Sequence, residues 1–159
     1  MSKLLQGYGR SQYGYVVVIC DLDDKVEPQF LSELNGVLEN CNPKPEACFC
    51  LAIEEFEAWY LGDLNAVCKA YPKANTSVLQ GYKNDSICGT WELLADAVYK
   101  SGHKGLSGEG WQSVGKQKSL WAQEISPHMN VDENKSPSFI FMREKLRDIV
   151  ARQKLRARH

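Results

Sequence analysis

Two short apolar runs in this chain each end in carboxylates. "YVVVIC", starting at Tyr15, is followed by Asp21, Asp23 and Asp24; "ACFCLAI", starting at Ala47, is followed by Glu54, Glu55 and Glu57. Carboxylates are hard oxygen ligands and proton carriers, and a convergent set repels itself unless some are protonated or a cation meets them. Asp21 and Asp23 are spaced i,i+2, so they point to one side while the chain stays extended. Glu55 and Glu57 share that spacing, whereas Glu54 and Glu57 share a face if a helix has already begun. Oxygen donors of this kind favour Mg²⁺ or Mn²⁺ over zinc. Either cluster alone also reads as ordinary acid near a helix start, complementing the helix dipole. Both at one edge of one unit favour a metal.

The elements that must position these groups follow from periodicity. "YVVVIC" is short, apolar and β-branched, which predicts a strand of a parallel sheet buried on both faces. In "EPQFLSELNGVLENC", Phe30, Leu31, Leu34 and Leu38 fall at helical spacing and Pro28 suits the first turn. "NPKPE" is a turn, and "ACFCLAIEEF" contains the second strand. Strand, helix, strand makes a βαβ unit with a right-handed crossover. Open α/β sheets bind ligands outside the carboxyl ends of their strands, where both acidic sets stand, about 5 Å apart if the strands are neighbours. Two strands are few for such a sheet, which predicts either further strands or one that precedes this chain.

The second half reads as helical. "FEAWYLGDLNAVCKAY" predicts one helix with Trp59, Leu61, Leu64 and Val67 on its apolar face, weakened by Gly62. "TWELLADAVYK" predicts a helix from an N-cap at Thr90, with Glu92 also in a capping role. "HKGLSGEGWQSVGKQ", with its four glycines, predicts a loop. "KSLWAQEISPHM" predicts a short helix stopped by Pro127, and "SPSFIFMREKLRDIVARQKLRARH" a terminal helix starting at a Ser cap before Pro137.

The chain's 159 residues amount to one domain, long enough to bury a core. A net charge of −1 neither demands nor excludes a nucleic-acid partner. No apolar run reaches the roughly 20 residues that cross a bilayer, and "MSKLLQGYGRSQYGY" lacks the apolar core of a signal peptide; the expectation is a cytoplasmic protein with no membrane partner. The six cysteines include no C-x-x-C pair, and Cys20, Cys48 and Cys50 lie in strand text. Buried, reduced thiols are expected rather than disulfides or zinc.

"DLDD", "AIEEFEAWYLGDLNAV" and "SPSF" together resemble an uncharacterised bacterial family of Toprim-like proteins. That family is marked by a D-x-D strand end, an E-x-E-x-W-x-L-x-D segment and a late S-x-S-F. The resemblance runs from about Gly7 to Arg147, and Glu55, Glu57, Trp59, Leu61 and Asp63 form its most specific part. It implies an α/β fold: a Toprim-like parallel sheet with helices on both faces, a mostly helical C-terminal half, and a single domain over 1–159. It also implies Mg²⁺- or Mn²⁺-dependent cleavage of nucleic-acid phosphodiesters. Asp21 and Asp23 match the D-x-D, and Glu55 and Glu57 the second acidic motif, as metal ligands and catalytic residues. A role in bacterial defence against phage, beside an ABC-type ATPase of the overcoming-lysogenization-defect kind, is implied as well. The chain departs from the pattern in one respect. The Toprim strand that carries a glutamate is expected upstream of residue 1, so the domain reads as N-terminally incomplete. The rival reading is therefore a catalytically degenerate interaction module that binds a partner protein or nucleic acid. A small-molecule phosphatase or nucleotide-binding α/β protein ranks last, for want of a Gly-rich phosphate loop after the first strand.

Other residues carry paired readings. Asp63 is a helix-surface acid or cap, and Lys116 and Lys118 are solvated loop lysines in preference to phosphate ligands. Trp59 belongs to the core with Phe56 and Leu61 rather than to a base-stacking platform. Ser136 and Ser138 flank Pro137 as capping residues, with a site role left open by the resemblance. His103 and His128 receive no role. Arg143, Lys145, Arg147, Arg152, Lys154, Arg156 and Arg158 either track a phosphate backbone or form a solvated helix end.

Overall fold

The computed structural model describes residues 1–9 and 14–156. It is a mixed α/β chain in which a helix, α1 (Ser2–Gly9), precedes a βαβ unit: β1 (Val16–Asp21), α2 (Glu27–Glu39) and β2 (Ala47–Ala52). The strands pair in parallel, and among the described residues they form a sheet of two. Helices follow: α3 (Glu57–Leu61), α4 (Leu64–Ala70), α5 (Thr76–Gln80), α6 (Thr90–Val98), α7 (Gly102–Gly108), α8 (Trp111–Ile125) and α9 (Pro137–Arg156), with a 3-10 turn at Ser126–His128. No helix among the described residues is long and apolar enough to cross a membrane.

The chain divides into two compact units, Met1–Leu51 with Phe141–His159, and Ala52–Ile140. In the first unit Leu5, Leu22, Leu34, Leu38, Phe49, Cys50 and Leu51 are buried. β2 has the burial expected of a strand covered on both faces from Phe49 onward. β1 does not: its residues are partly buried and Ile19 is exposed. β2 is its one hydrogen-bonded neighbour among the described residues.

The second unit is a cluster of short helices around Leu61, Val67, Leu79, Leu94, Leu106, Trp121 and Ile125. Three expectations are corrected here. The helix predicted over 56–71 breaks at Asp63, whose φ of −127° and ψ of 79° leave the helical region and whose carboxylate caps α4. The Gly-rich segment is helical, because Leu106 and Val114 insert into the core and outweigh the glycines' low propensity; the chain pauses only at Gly110, φ 94°. Thr90 is not the cap of α6: Gly89, φ 78°, holds that position and the capping carboxylate comes from Glu54. At α9 the expected cap is present, with Phe139 N donating to Ser136 Oγ at 3.2 Å. All six cysteines are free thiols.

Gly62 permits a close approach between segments far apart in the sequence. A Cβ there would overlap the Asn134 side chain and come within 2.9 Å of Ser136 N and Cβ. Gly36, inside α2, has nothing within 4 Å of the same position. Gly62→Ala is expected to destabilise the protein by about 1–3 kcal/mol through overpacking. Gly36→Ala is expected to stabilise it by about 0.5–1 kcal/mol through helix propensity. Urea unfolding followed by circular dichroism compares the two.

Candidate functional site

The turn after β2 is set by one strained residue. Glu54 adopts a left-handed φ of 63°, unusual for a side chain of its size. The carboxylate accounts for it: Oε1 accepts from Gly89 N at 2.9 Å and Oε2 from Thr90 N at 2.8 Å. Bonds to a carboxylate are among the stronger ones, and these satisfy donors that the first turn of α6 leaves open. Glu54 is thus a clamp that fixes where the next residues go.

Those residues are Glu55 and Glu57, and the structure brings them together through Lys118 of α8. Lys118 Nζ donates to Glu55 Oε1 at 2.9 Å and faces Glu57 Oε2 at 3.3 Å, the latter as an ion pair without hydrogen-bond geometry. Lys118 is therefore neither in a loop nor freely solvated, as the sequence reading had it. Glu57 is 2% exposed, and burial pushes its carboxyl up to about 7, against the opposing pull of Lys118 and with added push from Glu55. Burial alone would lower the Lys118 ammonium, but the charges of Glu57 and Glu55 outweigh it and raise the ammonium instead. Glu92, expected from the sequence in a capping role, stands in the first turn of α6. Burial and then the charges of Glu55 and Glu54 raise its carboxyl. Glu55 Oε2 and Glu92 Oε2 are buried and accept no hydrogen bond. The signal for Glu92 lay in its position near the α6 start; what placed it beside Glu55 was the Glu54 clamp, which has no sequence signature.

The i,i+2 argument does not survive at either acidic set. The chain leaves the extended path after Asp21, and Asp23 takes a φ of 52°. Glu57 opens α3, after the turn at Glu54. Asp21 ends β1 partly buried; Asp23 is exposed and pairs with Lys25 at 3.0 Å. Asp21 and Asp23 belong to the first unit, Glu55 and Glu57 to the second. Among the described residues no group of three or more His, Cys, Asp or Glu side chains is arranged to hold a metal ion. Mg²⁺ commonly takes one or two carboxylates and completes its shell with water and phosphate. The unbonded oxygens of Glu55 and Glu92 fit that modest demand in number and chemistry.

The remaining motif residues build a scaffold. Trp59 is buried, donates from Nε1 to Ser138 Oγ at 2.8 Å and packs edge-on against Phe56 and Phe139. Asp63 accepts from Ala66 N at 3.1 Å and from Asn130 N at 2.8 Å. Asp85, φ 56°, accepts from Ser136 Oγ at 2.7 Å and Ser138 N at 2.6 Å. Asp85 and Asn134 went unnoticed in the sequence; only the turn-like "NDS" and "DENKS" contexts hinted at them. In the terminal helix Glu144 takes Arg143 at 2.9 Å and Arg147 at 3.0 Å, partly cancelling the basic stripe; Arg158 lies outside the described residues. No protein family, curated protein or solved structure matches the chain.

The raised Glu57 gives a pH signature. Its reference value is 4.5, so between 4.5 and about 7 the folded chain holds a proton that the unfolded chain has released. Glu57's contribution is then fully present below the lower value and is lost as pH rises through the upper one. The full shift corresponds to about 3 kcal/mol. Glu57→Gln does not titrate and is expected to gain up to that amount relative to wild type between about pH 5 and about pH 8. Parallel urea curves across that window would show the gain as a widening difference in midpoints.

Proposed function

We propose that the chain is a Toprim-like protein that cleaves nucleic-acid phosphodiesters with the help of Mg²⁺ or Mn²⁺. The observation that carries the reading is the pairing of Glu55 and the buried Glu57 on the ammonium of Lys118, with Glu92 close enough to feel the charge of Glu55. An apolar set of equal volume would be at least as stable, and ionisable groups displaced from their ordinary range gather at functional sites. The cluster follows the carboxyl end of a parallel strand, where α/β folds place their chemistry.

Glu57, balanced near neutrality, is suited to take a proton from an attacking water. Lys118 orients Glu55 and Glu57 and offers a positive charge to a phosphoryl oxygen that gains negative charge. Glu55 and Glu92 would hold the cation through their unbonded oxygens. When bound, that cation polarises the phosphoryl group and acidifies water. The resemblance separately implies a metal-ligand role for Asp21 and Asp23 of the first unit, and a place beside an ABC-type ATPase in defence against phage.

One observation favours a second reading, the non-catalytic interaction module. Lys118 already neutralises part of Glu55 and Glu57, as Lys25 does Asp23. A cluster balanced by its own lysine needs no metal.

The test incubates the chain with plasmid and single-stranded DNA in Mg²⁺ or Mn²⁺. The wild type is expected to cut at least about 100-fold faster than Glu57→Gln, and faster than Lys118→Met and Asp21→Asn/Asp23→Asn. Equal cutting by all four proteins would sink the assignment. No cutting and no divalent-ion heat in calorimetry, with a stable complex to an ATPase partner, would move the conclusion to the interaction module.

A further inference from the structure

The motif scaffold of the second unit surrounds a cleft of ≈ 700 Å³ that the proposed cleavage does not use. Its size falls within the roughly 300–1,000 Å³ of ordinary small-ligand sites. Three segments line it: the start of α4 with Asp63 and Asn65, the loop after α5 with Tyr82 and Asn84, and the loop before α9 with Glu133 and Lys135.

These segments are held firmly. Lys135 N donates to Gly62 O at 2.9 Å, and Asn134 Nδ2 to Trp59 O at 2.7 Å. Asp63 and Asp85 fasten the other two junctions, the second at the expense of a left-handed backbone. Strain of that kind persists only where its surroundings over-determine it, and it clusters at ligand clamps. A cleft fixed before binding loses little entropy when a ligand enters.

The scaffold consumes the Asp63 carboxylate but leaves other lining groups open. The side chains of Asn65, Asn84, Glu133 and Lys135 have no intramolecular polar partner among the described residues. Tyr82 OH accepts from Asp85 N at 3.2 Å, which anchors its ring, and burial raises its phenol so that it stays neutral. The cleft therefore offers one aromatic ring, two amides that both donate and accept, one carboxylate and one ammonium. A flat heterocycle with a polar edge and an attached anion answers that inventory. Among bases, guanine presents two adjacent N–H donors to a carboxylate, and adenine does not.

We propose that this cleft binds a single guanine nucleotide. Tyr82 stacks on the base, Glu133 with Asn65 and Asn84 reads its edge, and Lys135 meets the phosphate. The site deepens the nucleic-acid reading above, yet it needs neither metal nor the Glu55–Glu57–Glu92–Lys118 cluster. Binding measured in EDTA therefore stands or falls separately from cleavage.

The experiment is calorimetry of the full chain in EDTA with GMP, AMP, guanosine and inorganic phosphate as probes. GMP is expected to bind with a Kd below about 1 mM, and at least about tenfold tighter than AMP, the discrimination expected of one good bidentate base contact. The exposed residues Glu133 and Lys135 allow variants that spare the core. Glu133→Gln is expected to erase the preference for GMP over AMP. Lys135→Ala is expected to weaken GMP while leaving guanosine unchanged. Competition of GMP by a single-stranded oligonucleotide carrying one guanine would extend the ligand from free nucleotide to strand. The proposal is overturned if GMP gives no heat at millimolar concentration, if GMP, AMP and phosphate bind alike, or if both variants bind as wild type.

Discussion

The arrangement of the second unit depends on the carboxylate of Glu54. Three successive backbone N–H groups leading into α6, those of Cys88, Gly89 and Thr90, converge on it, and the residue accepts a left-handed backbone to reach them. The clamp fixes the direction of the chain after β2 and the start of α6 at once. Glu55 and Glu57 follow from the first and Glu92 from the second. Lys118 then enters from α8 and pairs with Glu55 and Glu57.

Buried charge of this kind is poor building material. Desolvation outweighs the attraction of Lys118 at Glu57, which is why that carboxyl sits near neutrality although an ammonium lies 3.3 Å away. Other residues of the motif segments do the opposite. Trp59, Ser136, Ser138 and Asp63 are each matched to a partner and hold three loops in place. The segment from Glu55 to Asp63 thus contributes both to the uneasy cluster and to the frame beside it.

How far the sequence foretold this varies by element and for physical reasons. The βαβ unit was legible because burial imposes periodicity: Leu34 and Leu38 are buried on α2, and Phe49 to Ala52 on β2. The Ser136 cap was legible because a local hydrogen bond leaves a local signature. The Gly-rich helices were missed because Leu106 and Val114 gain more from the core than their neighbouring glycines lose in propensity. The break at Asp63 was hidden because apolar spacing runs through it from Trp59 to Val67, while one donor that holds its carboxylate, Asn130 N, lies 67 residues along the chain. The pairing of Glu55 with Glu57 was foreseen, but for the wrong reason: an extended strand was assumed, and a lysine from α8 brings them together instead.

The left-handed backbones of Glu54 and Asp85 set an unusual rule for what either position tolerates. Glycine would relax the backbone at both, yet it would abandon three donors at Glu54 and two at Asp85. Alanine would keep the strain and lose the acceptor, the worst of both. Asparagine alone combines ease in this conformation with a side-chain oxygen of the right reach, and only at the aspartate. The shorter acid therefore has one near-substitute and the longer has none.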